Sequence, residues 1–225
     1  MSTTTTAAGK PADTKARLLE SATDLFSRQG FGATGIKAVL AAAEAPYGSL
    51  YHFFPGGKQE LGAAALTFGG ERYRELLESV YPVESDVVEA TADSFVRAAK
   101  LLEDTDYGYA CPIATIALEV ANNDELMRTA AADAFESWLA LLQQRFTAAG
   151  MTDERAREVA EEVFCLIEGA VLLSRIAQRI EAAEQRDRPR IFKVLAGNRQ
   201  HELAQPAVGA GRGEAAARAA EGELT

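Results

Sequence analysis

The side chains best suited to chemistry concentrate in one stretch, ATGIKAVLAAAEAPYGSLYHFFPGGK, residues 33–58. Tyr47, Ser49, Tyr51 and His52 carry hydrogen-bond donors there, and Gly48 lets a partner approach the backbone closely. Lys58 adds a cation beside the N-terminal amides of the helix it would open, a combination that favours phosphate. Such donors hold phosphate oxygens and touch base edges rather than breaking bonds. Catalysis would need a nucleophile with its base, paired carboxylates or a ligand cluster. The chain has 2 histidines, His52 and His201, and His52 already belongs to this stretch, so a histidine-based triad is poorly supplied. Glu161-Glu162 and Glu103-Asp104 are sequence neighbours, and adjacent helical residues do not face each other. The expectation is no catalytic residue, no metal site and no cofactor.

Two short helices joined by a tight turn would position these donors. Thr34 suits an N-cap, and Ile36, Val39 and Leu40 give the first helix an apolar stripe. Pro46 suits the first turn of the second helix, where its missing N–H is not needed. Leu50, Phe53 and Phe54 would anchor that helix inward, leaving Tyr47, Gly48, Ser49, Tyr51 and His52 outward. Helix, turn and a short helix with exposed small and polar residues make a DNA-reading helix-turn-helix.

Gly30-Phe31, then Thr34 through Ala43, then PYGSLYHFFPGGK, resemble the N-terminal DNA-binding domain of the tetracycline-repressor (TetR) family over about residues 13–62. The resemblance rests on several elements in order: a helix ending in F-x-x-x-G-F, the capping threonine, and LYHFF before a lysine. It implies DNA contacts from Lys15, Arg17, Thr34, Pro46, Tyr47, Gly48, Ser49, Tyr51, His52 and Lys58. One departure stands out. The family often carries lysine where this chain has Tyr47, so a hydroxyl and an apolar ring replace a point charge, and the sequence preference should differ. The segment Tyr109-Ala110-Cys111-Pro112-Ile113 is similar, more loosely, to a subgroup of drug- and flavonoid-responsive repressors.

Hydrophobic residues at 48% and charged residues at 25% suit a soluble, core-forming chain. Abundant alanine and few alternating β-branched runs give an all-α class. No apolar run approaches a membrane span, and the N-terminus lacks a signal-peptide centre, so the cytoplasm and no membrane partner are expected. The 2 cysteines, Cys111 and Cys165, fit no metal or disulfide framework. A net charge of −10 looks wrong for a DNA binder until the chain is divided. Residues 1–60 hold six basic against five acidic side chains, leaving 17 basic against 28 acidic in residues 61–225. The acidic part need not touch DNA and would repel it from the wrong face.

About nine helices are expected. Residues 1–11 form a disordered arm, 12–60 the helix-turn-helix domain, 61–203 a ligand-binding and dimerisation domain, and 204–225 a disordered tail. Helix 1 spans about Asp13–Gln29, with Gly30 as its stop. Helix 4, about Gln59–Tyr81, crosses from one domain into the other, followed by helices near Ser85–Glu103, Pro112–Val120, Asp124–Ala149, Glu154–Ala183 and Asp187–Leu203. Phe68, Tyr73, Phe95, Tyr107, Tyr109 and Cys111 are candidates for a ligand pocket. Ile113, Ile116, Trp138, Phe164 and Glu168 complete that set, and Glu168 is its most suggestive polar member because a carboxylate there wants a partner. Helix 8 is apolar on more than one side, so Val163, Leu166, Ile167, Ala170 and Val171, with Phe192 and Leu195 of helix 9, are assigned to a two-fold interface.

Together these point to a homodimeric repressor on a near-palindromic double-stranded operator, released by a small, largely apolar inducer. An activator of the same fold shares every feature. A small-molecule binder without DNA function, or an all-α enzyme, would also be built on such a helical body.

Overall fold

The computed structural model describes residues 11–108 and 111–180. These form eight α-helices and no strand: α1 (Pro11–Gln29), α2 (Ile36–Ala42), α3 (Tyr47–Phe53), α4 (Lys58–Val80), α5 (Val87–Asp104), α6 (Ala114–Val120), α7 (Glu125–Ala148) and α8 (Asp153–Ala177). The all-α class expected from composition is what the chain adopts. The expected ninth helix, Tyr109, the arm up to residue 10 and the tail lie outside the described residues.

Local signals set most boundaries. Gly30 ends α1 at a φ of 86°, with its N–H donating to the Phe26 carbonyl. Asp86 caps α5 through the amides of Val88 and Glu89, Asp124 caps α7 through Met127, and Thr152 caps α8 through Arg155. Pro112 suits the opening of α6, but the helix begins at Ala114. The eighth helix also stops earlier than the apolar pattern suggests. Gln178 takes a left-handed conformation (φ 49°) after Ala177 and closes it.

α1 to α3 form a small head held on Leu18, Ala22, Phe26, Leu40, Leu50 and Phe54, all buried. α4 links that head to the body, packing on α1 at one end and on α7 along its length. Small residues let α4 come close. A methyl placed on Gly70 would lie 2.7 Å from the Ala134 Cβ, a stiff neighbour. Beside it Trp138, the single tryptophan, is fully buried and donates from Nε1 to the Gly70 carbonyl at 2.8 Å.

The far end of α4 is equally fixed. The buried Tyr81 hydroxyl donates to Thr91 Oγ1 at 3.1 Å and accepts from Ser94 Oγ at 3.1 Å. Arg145 Nε, from α7, donates to the Tyr81 carbonyl at 2.8 Å. Among the described residues no helix is long and apolar enough to cross a membrane.

Gly70→Ala should therefore cost about 1–3 kcal/mol by forcing α4 away from α7. Thermal unfolding followed by Trp138 fluorescence checks this, and an unchanged midpoint would mean that the contact has slack.

Candidate nucleic-acid interface and ligand cavity

Burying Leu50 and Phe54 fixes which face α3 turns outward. Tyr47 is 58% exposed and Tyr51 48%, one helical turn apart, with ring centroids 6.1 Å from each other. Gly48 and His52 are exposed beside them, and Ser49 is half-buried. A Cβ on Gly48 would meet nothing within 4 Å, so internal packing does not require glycine there. Pro46 is also exposed, but it is the extended N-cap (φ −60°, ψ 148°) rather than a first-turn residue. Lys37 on α2, exposed, adds a cation next to Pro46 and Tyr47. Lys15 is exposed on α1, with Nζ 5.9 Å from the Phe54 ring centroid.

Three expected DNA contacts are instead occupied within the head. Thr34 does not cap α2; Gly35 holds that position without a side-chain bond. The Thr34 side chain is buried and its hydroxyl donates to the Gly30 carbonyl at 2.8 Å, tying the turn to the end of α1. Arg17 Nε donates to the Ala43 carbonyl at 2.9 Å, satisfying the end of α2, while its NH1 pairs with Asp13 at 2.6 Å. Lys58 does open α4, but Nζ turns back to donate to the Phe31 carbonyl at 2.6 Å and sits 4.3 Å above the Phe31 ring. Burial holds its ammonium below the usual lysine range, and the charge of Glu119 opposes that shift. A side chain committed this way is not free to meet phosphate.

Glu119 is a site residue that sequence reasoning missed. It projects from α6, in the body, onto the loop after α1. Its carboxylate accepts from the Phe31 N–H at 3.1 Å and the Gly32 N–H at 2.6 Å. Glycine at 30 and 32 leaves the room this needs, since a Cβ on Gly30 would collide with Glu119 Oε1 and one on Gly32 would lie 3.1 Å from Oε2. One body carboxylate thus clasps two head amides, with Lys58 on the carbonyl of the same loop.

The same short α6 borders a cavity of about 390 Å³, to which Ala114, Thr115, Ala117 and Leu118 contribute. Phe135, Phe164, Glu168, Val171 and Leu172 line the other side. A smaller cavity of about 100 Å³ lies between α4, α5 and α8 and includes Tyr73, Leu102 and Ile167. Cys111 and Glu168 line both. Burial raises the Glu168 carboxyl above its ordinary range, and a hydrogen bond with the Cys111 thiol only partly offsets this. Burial and then the neighbouring Glu168 charge push the thiol up in turn.

Of the pocket residues expected from sequence, Tyr73, Cys111, Phe164 and Glu168 line these cavities. Phe95, Ile113, Ile116 and Trp138 are buried core. Phe68 lies under the guanidinium of Arg72 (5.7 Å), and Tyr107, at a φ of 56°, offers its carbonyl to Arg175 Nε at 3.2 Å.

The residues assigned to an interface on α8 fall on more than one face of the helix. Val163 and Ala170 are buried within their own chain, and Ile167 and Val171 line a cavity. Leu166 is exposed, together with Leu172, Leu173 (62%) and Ile176 (74%), which were not among the residues assigned to the interface. The spacing 166, 169, 173, 176 would have found this stripe. Phe192 and Leu195 lie outside the described residues.

Residues 18–65 match bacterial regulatory proteins, tetR family, and residues 87–185 match the C-terminal domain of LmrA/YxaF-like transcriptional regulators. The chain is 33% identical over 162 residues to YxaF of Bacillus subtilis (strain 168), named an uncharacterized HTH-type transcriptional regulator. That match covers 72% of this chain and 85% of YxaF. It is 30% identical over 173 residues to the HTH-type transcriptional regulator LmrA of the same organism, covering 74% of this chain and 88% of LmrA. The crystal structure of a TetR-family transcriptional regulator from Agrobacterium tumefaciens shares the fold, with a TM-score of 0.70 at 19% identity over 82% of this chain and 98% of that one.

Glu119→Ala should release the Phe31 and Gly32 amides. Losing about 1.4 kcal/mol of local protection accelerates exchange about tenfold, which amide hydrogen exchange resolves at those two residues. Unchanged rates there would mean that the carboxylate does not hold the loop.

Proposed function

We infer the function of this chain from one premise: it belongs to the TetR family of bacterial transcriptional regulators. It is a DNA-binding helix-turn-helix regulator by that membership. Beyond it, we read the chain as a ligand-responsive repressor, homodimeric on a near-palindromic operator and released by a small, largely apolar inducer.

One observation carries this reading. α6 holds the head through Glu119 and, along the same seven residues, walls a cavity. A molecule that enlarges the cavity must displace α6 or its neighbours, and displacing α6 moves the head. α3 supplies the reading surface through Tyr47, Gly48, Tyr51 and His52, with Ser49 at its edge. Arg17, Thr34 and Lys58 support that surface rather than touching DNA with their side chains. Residues 12–60 would be the reading unit and 61–203 the sensing and pairing unit.

Two-fold pairing through the exposed stripe of α8 would set two heads about 34 Å apart, one turn of duplex. The ligand shifts the equilibrium only by its affinity difference between states. A hundredfold loss of DNA affinity needs about 2.7 kcal/mol of such coupling. A dimer seated over a promoter excludes polymerase, which gives repression.

The direct test is a gel shift at low salt on the DNA flanking the chain's own gene. A retarded band is expected, and Tyr47→Ala should weaken it at least about tenfold while circular dichroism stays unchanged. No band, or a Tyr47→Ala band equal to that of the unaltered chain, would sink the reading. Leu173→Glu should convert the dimer to monomers in light scattering, because a charge in the centre of an apolar interface has no partner. A dimer that tolerates it would place the interface elsewhere.

A further inference from the structure

Two cavities of the body share a wall, and Glu168 is the only carboxylate among the described residues lining either of them. The Cys111 thiol lines both cavities beside it. Two arginines lie in the same walls, and each has a partner other than Glu168. Arg175 Nε donates to the Tyr107 carbonyl at 3.2 Å, and Arg97 on α5 pairs with Asp93 at 2.6 Å. From the other elements, α4 presents the phenol of Tyr73, α5 the hydroxyl of Ser94, α6 Thr115 and α7 Phe135, none of them a cation. The rest of the wall is aliphatic and aromatic.

A carboxyl in such a wall is costly to ionise unless a cation meets it. A ligand that brings that cation removes the cost on binding, whereas a neutral ligand of the same shape leaves it in place. We propose that the cavity selects small molecules with a protonated amine on an apolar, ring-sized body, and that Glu168 makes the selection by accepting from the ammonium. This rests on the reading of the cavity as the inducer site. Amine affinity should rise with pH as the carboxyl, held above its ordinary range, gives up its proton. It should fall again as the amine itself loses its proton near about pH 10.

Three probes of one shape test this: naphthylethylamine, naphthylethanol and naphthylacetate, titrated calorimetrically into the full chain. The amine should bind at least about tenfold more tightly than the alcohol, and the acetate most weakly. Glu168→Gln, its fold checked by circular dichroism, should erase the preference for the amine. Equal binding of amine and alcohol, tighter binding of the acetate, a preference that survives in Glu168→Gln, or no binding of any probe would each overturn the proposal. Anisotropy of a labelled operator with the same probes reads the other question. Amine preference without operator release would retire the inducer reading and leave selection at Glu168 standing.

Discussion

The contact on which the rest depends is a carboxylate reaching across two parts of the chain. Glu119 takes the amides of Phe31 and Gly32, and Lys58 takes the Phe31 carbonyl. The loop between α1 and α2 has no regular structure to satisfy these groups, so its orientation is borrowed from α6 and α4. Phe31 also meets Phe26 edge-on at 5.2 Å, which gives the loop an apolar anchor. Remove the polar clasp and that ring still binds, and the packing of α1 on α4 remains, but the loop loses the polar contacts that tie it to α6.

That arrangement explains why positive charge in the head is scarcer than the sequence suggests. Arg17 and Lys58 look like DNA contacts by type and position, yet each completes a backbone group that would otherwise lack a partner. What remains outward is mostly aromatic and small: two tyrosines, a glycine and a histidine on α3, with Lys15 and Lys37 as flanking cations. Such a surface offers hydroxyls, rings and an accessible backbone, with few cations. The excess of acidic side chains after residue 60 opposes duplex binding to that part of the chain.

The head is largely legible in sequence because its signals are local: a glycine stop, an apolar stripe, a proline ahead of α3, and an aromatic cluster that must bury part of itself. Thr34 misleads as a cap because a buried threonine and a capping one look alike when the partner lies on another helix. The cavity is less legible. Trp138, Phe95, Ile113 and Ile116 have the right chemistry for a wall, but in an all-helical body most large side chains fill the core. Glu168 stands out because it is the one acidic residue inside the apolar run from Val163 to Ile176. Glu119 does not, since its partners are backbone amides some 88 residues away that no side-chain pattern announces. On α8 the apolar residues assigned to pairing fall on more than one face, because periodicity alone does not say which apolar face packs within the chain and which stays exposed.

The anchorage of Tyr81 gives α4 a fixed pivot. Its phenol and carbonyl are bound to α5 and α7 at the body end, while the head hangs from the other end, 23 residues away. At about 1.5 Å per residue the arm is roughly 35 Å long. A tilt of about five degrees at the pivot swings the opposite tip by about 3 Å, the length of a hydrogen bond. A small rearrangement at the Tyr81 end of this arm is therefore magnified at the head.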